Sequence, residues 1–117
     1  MNASEATIRV GPAGWSYEDW KGIVYPPRMP RGRHPLTLLC QYFDAMEVNS
    51  TFYHPPNARF CASWVDKVSA NPRFLFTAKL WSCFTHERGA WPVPEKRRAY
   101  EEGIAPLVSA EKLGAVL

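Results

Sequence analysis

Residues 45–56 read "AMEVNSTFYHPP", and this stretch decides how the rest of the chain is interpreted. Its first four residues are typical of a short buried strand, and the double proline at its end cannot continue one. In an extended strand Glu47 and Asn49 share one face, while Met46 and Val48 take the other. The polar and aromatic residues after Val48 are therefore expected at the carboxyl end of a strand, and their number indicates that this end faces a ligand.

The composition is that of one small globular domain. The chain has 117 residues, of which 46% are hydrophobic and 21% charged. No window approaches the length of a membrane span, and the N-terminus lacks the pattern of a signal peptide, so we expect a cytoplasmic protein with no membrane partner. The net charge of +3 permits binding to an anion or to nucleic acid but does not require it.

The three cysteines do not form a recognisable pattern. Cys40, Cys61 and Cys83 are far apart, odd in number and without a CxxC pair. This spacing argues against a disulfide framework and against a cysteine-rich zinc site. Cys40 and Cys61 fall on apolar helical faces, so we expect them to be core thiols.

Four short segments are predicted to be strands. They are 8–11, 45–48, 74–79 and a last one that begins after Gly114. Each of the first three is followed by a loop that contains glycine or proline, which is typical of strands in an α/β protein.

The segments between these strands are predicted to be helices. Pro35 suits a first helical turn, and Asn57 is a suitable N-cap for the second helix. A third apolar stripe starts at about Glu95, and Pro106 is expected to kink or split that helix. His34 is assigned to the start of the first helix.

The resulting order, β-α-β-α-β-α-β, is typical of an α/β protein with right-handed crossovers and a parallel sheet. An open sheet of four strands would leave a short parallel strand at its edge. We therefore expect the chain to supply the first part of a larger α/β domain. A compact four-strand α/β fold and a half-barrel completed by dimerisation are the alternatives.

Three loops follow the predicted strands, and all three carry polar and aromatic residues. They are 11–22, 49–56 and 80–91. In parallel α/β proteins, sites form beyond the carboxyl ends of the strands. Strand periodicity adds Thr77 and Lys79 to the face that carries Glu47 and Asn49.

A buried Glu or Lys is costly alone, so Glu47 and Lys79 are expected to pair. One interpretation of the pair is a structural ion pair. The other is the polar floor of a site, with Lys79 near its mouth where it can meet a substrate anion.

The third loop carries a histidine that is a candidate general acid or base. His86 lies just past the third predicted strand, where a histidine can act as a general acid or base at neutral pH, although a solvated loop histidine is the alternative. His34, His54 and His86 share no metal-ligand spacing, so this segment carries no metal signature, and no cofactor is assigned.

A basic run at 28–34, "RMPRGRH", shares the first long loop with Trp15, Tyr17, Trp20 and Tyr25. Arginines contact phosphates and aromatic rings stack on bases, so this mixture suits single-stranded nucleic acid. A solvated loop whose aromatic residues cap the end of the fold is the alternative.

Three segments resemble the YecE-like family, domain of unknown function 72 (DUF72). They are "IRVGPAGWSYEDWKGIVYPP" at 8–27, "FDAMEVNSTFYHPP" at 43–56 and "FLFTAKLWSCFTHER" at 74–88. The resemblance keeps their order and covers nearly the whole chain from Ile8 to Leu117. Pro12 and Ala13 depart from it, since members tend to have Thr-Ser there, which removes hydroxyls from the first loop.

The resemblance implies a fold. Members look like TIM-type (β/α) barrels about twice as long as this chain. The expected fold class is therefore α/β, an incomplete TIM-type barrel with parallel strands 1–3, the start of strand 4 and intervening helices. Residues 1–117 would be the N-terminal part of a single DUF72 domain, because the family's usual "F-Q-L-P-P" continuation after Leu117 is missing. The family implies no established activity.

The predicted site combines these loops. Glu47, Lys79 and His86 are the candidate catalytic residues. The candidate substrate-binding residues are Trp15, Tyr17, Asn49, Ser50, Tyr53 and Arg88. The expected partner is nucleic acid or a phosphate-containing small molecule. A non-catalytic nucleic-acid-binding barrel and a fragment without activity are the alternative functions.

Overall fold

A computed structural model describes residues 5–87 and 94–117. Its elements in chain order are α1 (Pro35–Leu39), β1 (Ala45–Val48), α2 (Ala58–Lys67), β2 (Leu75–Ala78), α3 (Pro94–Ser109) and β3 (Leu113–Val116). Single 3-10 turns occupy Glu18–Trp20, Ser50–Phe52 and Ser82–Phe84.

The three strands form one parallel sheet in the order β1-β2-β3. Glu47 lies opposite Thr77 in the β1–β2 pair, and an irregularity between Phe76 and Thr77 interrupts the register of the β2–β3 pair. Neighbouring strands in the sheet are also neighbours in sequence, with α2 and α3 as the connections. The predicted α/β class and parallel order are confirmed.

The predicted strand at 8–11 is wrong as a strand, although the segment lies beside β1. Among the described residues, the backbone just after it makes one isolated bridge to β1, between Ala13 and Glu47, and the Pro12 carbonyl accepts a hydrogen bond from the Glu47 amide at 3.0 Å. Pro12 has no amide hydrogen to donate to a ladder. Ile8 and Val10 are mostly exposed, so no buried face holds the segment as a strand.

Other boundaries differ by a few residues. The strand predicted at 74–79 spans Leu75–Ala78, and the strand predicted to begin after Gly114 begins at Leu113. Pro106 lies inside an uninterrupted α3, so the expected split does not occur. Pro106 has no amide hydrogen to bond the carbonyl of Glu102, one turn earlier in the helix.

Alternation along the strands separates two faces of the sheet, as predicted. Met46, Val48, Phe76 and Ala78 are buried, while the residues between them are only partly buried. The buried face belongs to one hydrophobic cluster with residues of all three helices: Leu36, Leu39, Cys61, Tyr100, Ile104 and Leu107. The helices therefore cover one face of the sheet.

The overall shape is flat. The chain extends 49 × 46 × 22 Å with a radius of gyration of 16.0 Å, whereas a compact domain of this length has about 13 Å. The described part of the chain is thus a layer of helices on a sheet whose Glu47 face is open. None of the helices in these ranges is long and apolar enough to cross a membrane.

The two predicted helix starts are confirmed. The Asn57 side chain accepts hydrogen bonds from the amides of Arg59 and Phe60, at 2.9 and 3.2 Å. His34 caps α1 through Nδ1, which accepts a hydrogen bond from the Leu36 amide at 3.1 Å. Both caps satisfy amides that a helix leaves without partners.

The cysteines are buried free thiols, as expected for Cys40 and Cys61. Burial raises the pKa of the Cys61 thiol to about 11, so it stays protonated and unreactive at neutral pH.

The His34 cap makes folding stability depend on pH. Burial, and then the positive charge of Lys67, lowers the pKa of His34 in the folded state. The unfolded chain, with a histidine pKa of about 6.5, then binds protons more readily than the folded one. The stability contributed by neutral His34 is fully present above that value and is lost as the pH falls through the folded pKa. Protonated Nδ1 also cannot accept the Leu36 hydrogen bond.

We expect His34→Asn, which caps without titrating, to reduce the loss of stability between pH 7 and pH 5. His34→Ala should lower the free energy of unfolding by about 1 kcal/mol at pH 7 because it removes the cap. Urea unfolding at several pH values measures both effects. Equal pH slopes for the wild type and His34→Asn would contradict this assignment.

Candidate functional site

The carboxyl ends of β1 and β2 bring the three predicted loops to one edge of the sheet. The first loop reaches this edge through Gly14, whose amide donates to the Glu47 carbonyl at 2.9 Å. The second loop begins with the turn Ser50–Phe52, and the third with Lys79 directly after β2. This arrangement places the candidate site where parallel α/β proteins carry theirs.

The predicted pairing of Glu47 and Lys79 is confirmed. Lys79 Nζ lies 3.7 Å from Glu47 Oε1, and the two side chains are 44% and 30% exposed. The pair is therefore less buried than expected, because the helices cover only the other face of the sheet. A pair this exposed contributes at most about 1 kcal/mol, so the lysine can also engage a ligand.

Phe52 joins the lysine to the histidine, and it is not among the residues expected from the sequence. Lys79 Nζ lies 5.9 Å from the centre of the Phe52 ring, in cation–π range. The His86 ring meets the same phenyl edge to face, with centroids 5.0 Å apart. The sequence could have indicated Phe52 in one way: it is an aromatic residue in the turn after β1, the strand whose Glu47 carboxylate pairs with Lys79.

These side chains line one hollow, which we call the Lys79 concavity. It has a volume of about 370 Å³ and is lined by Phe52, Lys79, Leu80, Thr85, His86 and Leu117. His86 Nδ1 lies 2.7 Å from the Thr85 hydroxyl, and the imidazole is exposed. Because Thr85 occupies Nδ1, Nε2 is the nitrogen that is available to a ligand.

A second hollow, the Asn49 concavity, lies between the first loop and the end of β1. It has a volume of about 240 Å³ and is lined by Gly14, Trp15, Ser16, Tyr17, Val48, Asn49 and Ser50. Asn49 Oδ1 is buried and has no hydrogen-bond partner among the described residues. The structure therefore brings four of the predicted binding residues together here.

Trp15 and Tyr17 are also held by the fold itself. The Trp15 ring packs edge to face against His34 and Trp64, with centroids 5.6 and 5.1 Å away. The Tyr17 hydroxyl donates to the Ala13 carbonyl. The fold therefore fixes the positions of both rings in the lining of the Asn49 concavity.

A third hollow, the first-loop concavity, has a volume of about 440 Å³. It shares Trp15 and Tyr17 with the Asn49 concavity, and its aromatic and prolyl wall includes Tyr25, Pro26 and Pro27. Lys21 and Arg28 also line it, and Lys21 pairs with Glu18 at 2.8 Å. Of the predicted basic run, Arg28 lines this groove together with the aromatic residues Trp15, Tyr17 and Tyr25.

Tyr53 stands apart from these hollows. It is 73% exposed, and its ring packs edge to face against that of Phe52, with centroids 5.2 Å apart. Arg88 lies outside the described residues. Within residues 5–87 and 94–117, no three His, Cys, Asp or Glu side chains are grouped closely enough to hold a metal ion.

The fold and the site define a parallel α/β protein with polar residues at the carboxyl ends of its strands. The family model for DUF72, described as a protein of unknown function, matches residues 9–117. The chain therefore belongs to the DUF72 family, as the resemblance of its motifs predicted. No curated protein matches this sequence.

Solved structures support the same fold. Two crystal structures of a DUF72 family protein from Enterococcus faecalis V583 are similar to this chain. The 3.10 Å structure has a TM-score of 0.72 and 23% identity, covering 94% of this chain and 38% of that chain. The 2.52 Å structure has a TM-score of 0.59 and 26% identity, covering 69% of this chain and 33% of that chain. This chain thus spans less than half the length of the chains it matches.

Proposed function

We propose that the protein binds a phosphate-bearing substrate in the Lys79 concavity and acts on it there. The observation that carries this proposal is the convergence of the Lys79 ammonium and the His86 imidazole on one phenyl ring, at the strand ends where α/β proteins bind ligands. An ammonium beside an imidazole supplies both a charge for the anion and a group that can move a proton.

Each side chain then has a definable task. Lys79 binds a phosphate oxygen, and Glu47 keeps the ammonium near the mouth of the hollow when it is empty. His86 exchanges a proton with the substrate through Nε2, as general acid or base. Trp15, Tyr17, Asn49 and Ser50, which line the Asn49 concavity, bind the rest of the substrate. Roles for Tyr53 and Arg88 remain predictions from the sequence.

Replacing Lys79 and His86 tests this proposal. Lys79→Met should weaken binding of inorganic pyrophosphate at least about tenfold, because a hydrogen bond to a charged group contributes about 1.5–3 kcal/mol. His86→Ala should leave that affinity within a fewfold and abolish hydrolysis of a p-nitrophenyl phosphodiester. Calorimetry and absorbance measure the two effects.

Lys112→Met is the matched control because it removes the same charge at the opposite end of the sheet. There Lys112 Nζ donates to the Pro72 carbonyl at 3.1 Å. Equal pyrophosphate affinities for Lys79→Met and Lys112→Met would refute an anion site at Lys79.

A non-catalytic binder of single-stranded nucleic acid is the second candidate, and the first-loop concavity favours it. Its aromatic wall offers stacking surfaces, while Lys21 and Arg28 offer phosphate contacts. Affinity for an oligonucleotide that falls steeply with salt and does not respond to Lys79→Ala or His86→Ala would favour this candidate. Turnover that these two changes abolish would favour the enzyme.

We also propose that the sheet is part of a TIM-type (β/α) barrel, with residues 1–117 as the N-terminal part of one domain. Two observations support this: consecutive parallel strands lie side by side, and the open sheet face carries polar residues. A crystal structure of a longer polypeptide that contains these residues tests it, since a sheet that fails to close would contradict the barrel. A cytoplasmic location remains a prediction from the sequence.

A further inference from the structure

The backbone carbonyl of Lys79 accepts two hydrogen bonds from buried hydroxyl groups. Thr51 Oγ1 donates at 2.6 Å and the Tyr100 hydroxyl at 2.8 Å. The Lys79 amide donates to the Val48 carbonyl at 3.1 Å. Thr51 is 2% exposed and Tyr100 6% exposed, so protein hydroxyls take the place of water at this strand end.

The two hydroxyls come from different elements. Thr51 lies in the turn Ser50–Phe52, so its bond ties the residue before Phe52 to the residue that carries the ammonium. Tyr100 lies in α3, which packs closely on the second loop. There a Cβ atom added to Gly103 would lie 1.9 Å from the Pro56 carbonyl oxygen.

The Tyr100 hydroxyl keeps its proton and so remains able to donate its hydrogen bond to the Lys79 carbonyl. Burial raises the pKa of this phenol. The phenol therefore keeps its proton at neutral and mildly alkaline pH, where the carbonyl needs a donor.

We infer that Thr51 and Tyr100 are positioning residues for Lys79, holding its backbone so that the ammonium stays between the Glu47 carboxylate and the Phe52 ring. This inference deepens the proposed function and rests on it for the identity of the ligand. The lysine side chain has four rotatable bonds, so anion binding must restrict many conformations. A fixed backbone limits where those conformations can place the ammonium, and this lowers the entropy cost of binding.

Conservative substitutions test this role. Thr51→Val and Tyr100→Phe each remove one hydroxyl with little change in shape, and Thr51→Ser restores the hydroxyl. Thr37→Val is the matched control, because the Thr37 hydroxyl donates at 2.6 Å to the backbone carbonyl of His34 in the first turn of α1 and not to Lys79. All four variants should fold, and thermal unfolding checks that Thr51→Val and Thr37→Val lose similar stability.

Two measurements read out the position of Lys79. Inorganic pyrophosphate should bind about fivefold more weakly to Thr51→Val and Tyr100→Phe, and nearly as in the wild type to Thr51→Ser and Thr37→Val. An amine-reactive reagent should label Lys79 up to about fivefold faster in the first two variants, since the ammonium is then less restrained by Glu47. Lys112, labelled in the same sample, serves as the internal reference.

The outcomes separate this inference from the proposed function. Faster labelling of Lys79 in a protein that binds no pyrophosphate would support the positioning role and refute the anion site. Pyrophosphate binding that depends on Lys79, with Thr51→Val and Tyr100→Phe behaving like Thr37→Val in both measurements, would overturn the positioning role and leave the anion site standing.

Discussion

Phe76→Ala is expected to lower the free energy of unfolding by about 3–5 kcal/mol, which is a large part of the stability of a small domain. Phe76 is fully buried in β2, and its ring lies 5.1 Å from that of Phe74 and 6.2 Å from that of Trp64. Removing the ring leaves a cavity between the sheet and α2 that neither neighbour can fill without moving the strand. Urea unfolding followed by tryptophan fluorescence measures the effect.

Phe60→Ala is the control for this prediction. It makes the same chemical change on α2, at a side chain that is 62% exposed. We expect a change within about 0.5 kcal/mol, as is usual for surface substitutions. Similar losses at Phe60 and Phe76 would mean that the cluster beneath the sheet is not the core of this protein.

Gly103→Ala is expected to destabilise the protein, although helix propensity alone predicts the opposite. In an unconstrained helix this change stabilises by about 1 kcal/mol. Here the new Cβ atom would lie 1.9 Å from the Pro56 carbonyl oxygen, so α3 must move away from the second loop. We expect a net loss of at least about 2 kcal/mol, in the range of overpacked cores. The same movement would shift Tyr100, one turn earlier in α3, away from Lys79.

Glu102→Ala, at the exposed neighbouring position of α3, is the matched control and should change stability by less than about 0.5 kcal/mol. Thermal unfolding of both variants measures the difference. A Gly103→Ala protein that is as stable as the wild type, or more so, would show that α3 does not pack closely on Pro56.

The two faces of β1 and β2 were predictable because strand side chains alternate. Met46 and Val48 are buried as the pattern indicated, and Glu47 meets Lys79 because the parallel register brings Glu47 opposite Thr77, two residues before Lys79. The segment 8–11 was not predictable in the same way. Its composition is that of a strand, but whether it forms one depends on other side chains packing against it. Ile8 and Val10 are exposed, so this packing is missing.

The sequence by itself determined the family, the parallel α/β order, the helix start at His34, the cap at Asn57 and the pairing of Glu47 with Lys79. These features depend on local periodicity, on the chemistry of single helix starts and on motifs that are continuous in the chain. Each of them can be expressed as a spacing between nearby residues or as the register of neighbouring strands.

Only the tertiary structure decided that Phe52 lies between Lys79 and His86, and that Tyr100 bonds the Lys79 carbonyl. Phe52 and His86 are 34 positions apart in the sequence, and Tyr100 is 21 positions beyond Lys79. No local spacing encodes such distances. The Tyr100 bond follows from how α3 packs on the second loop, where Gly103 permits a close approach that any side chain would prevent.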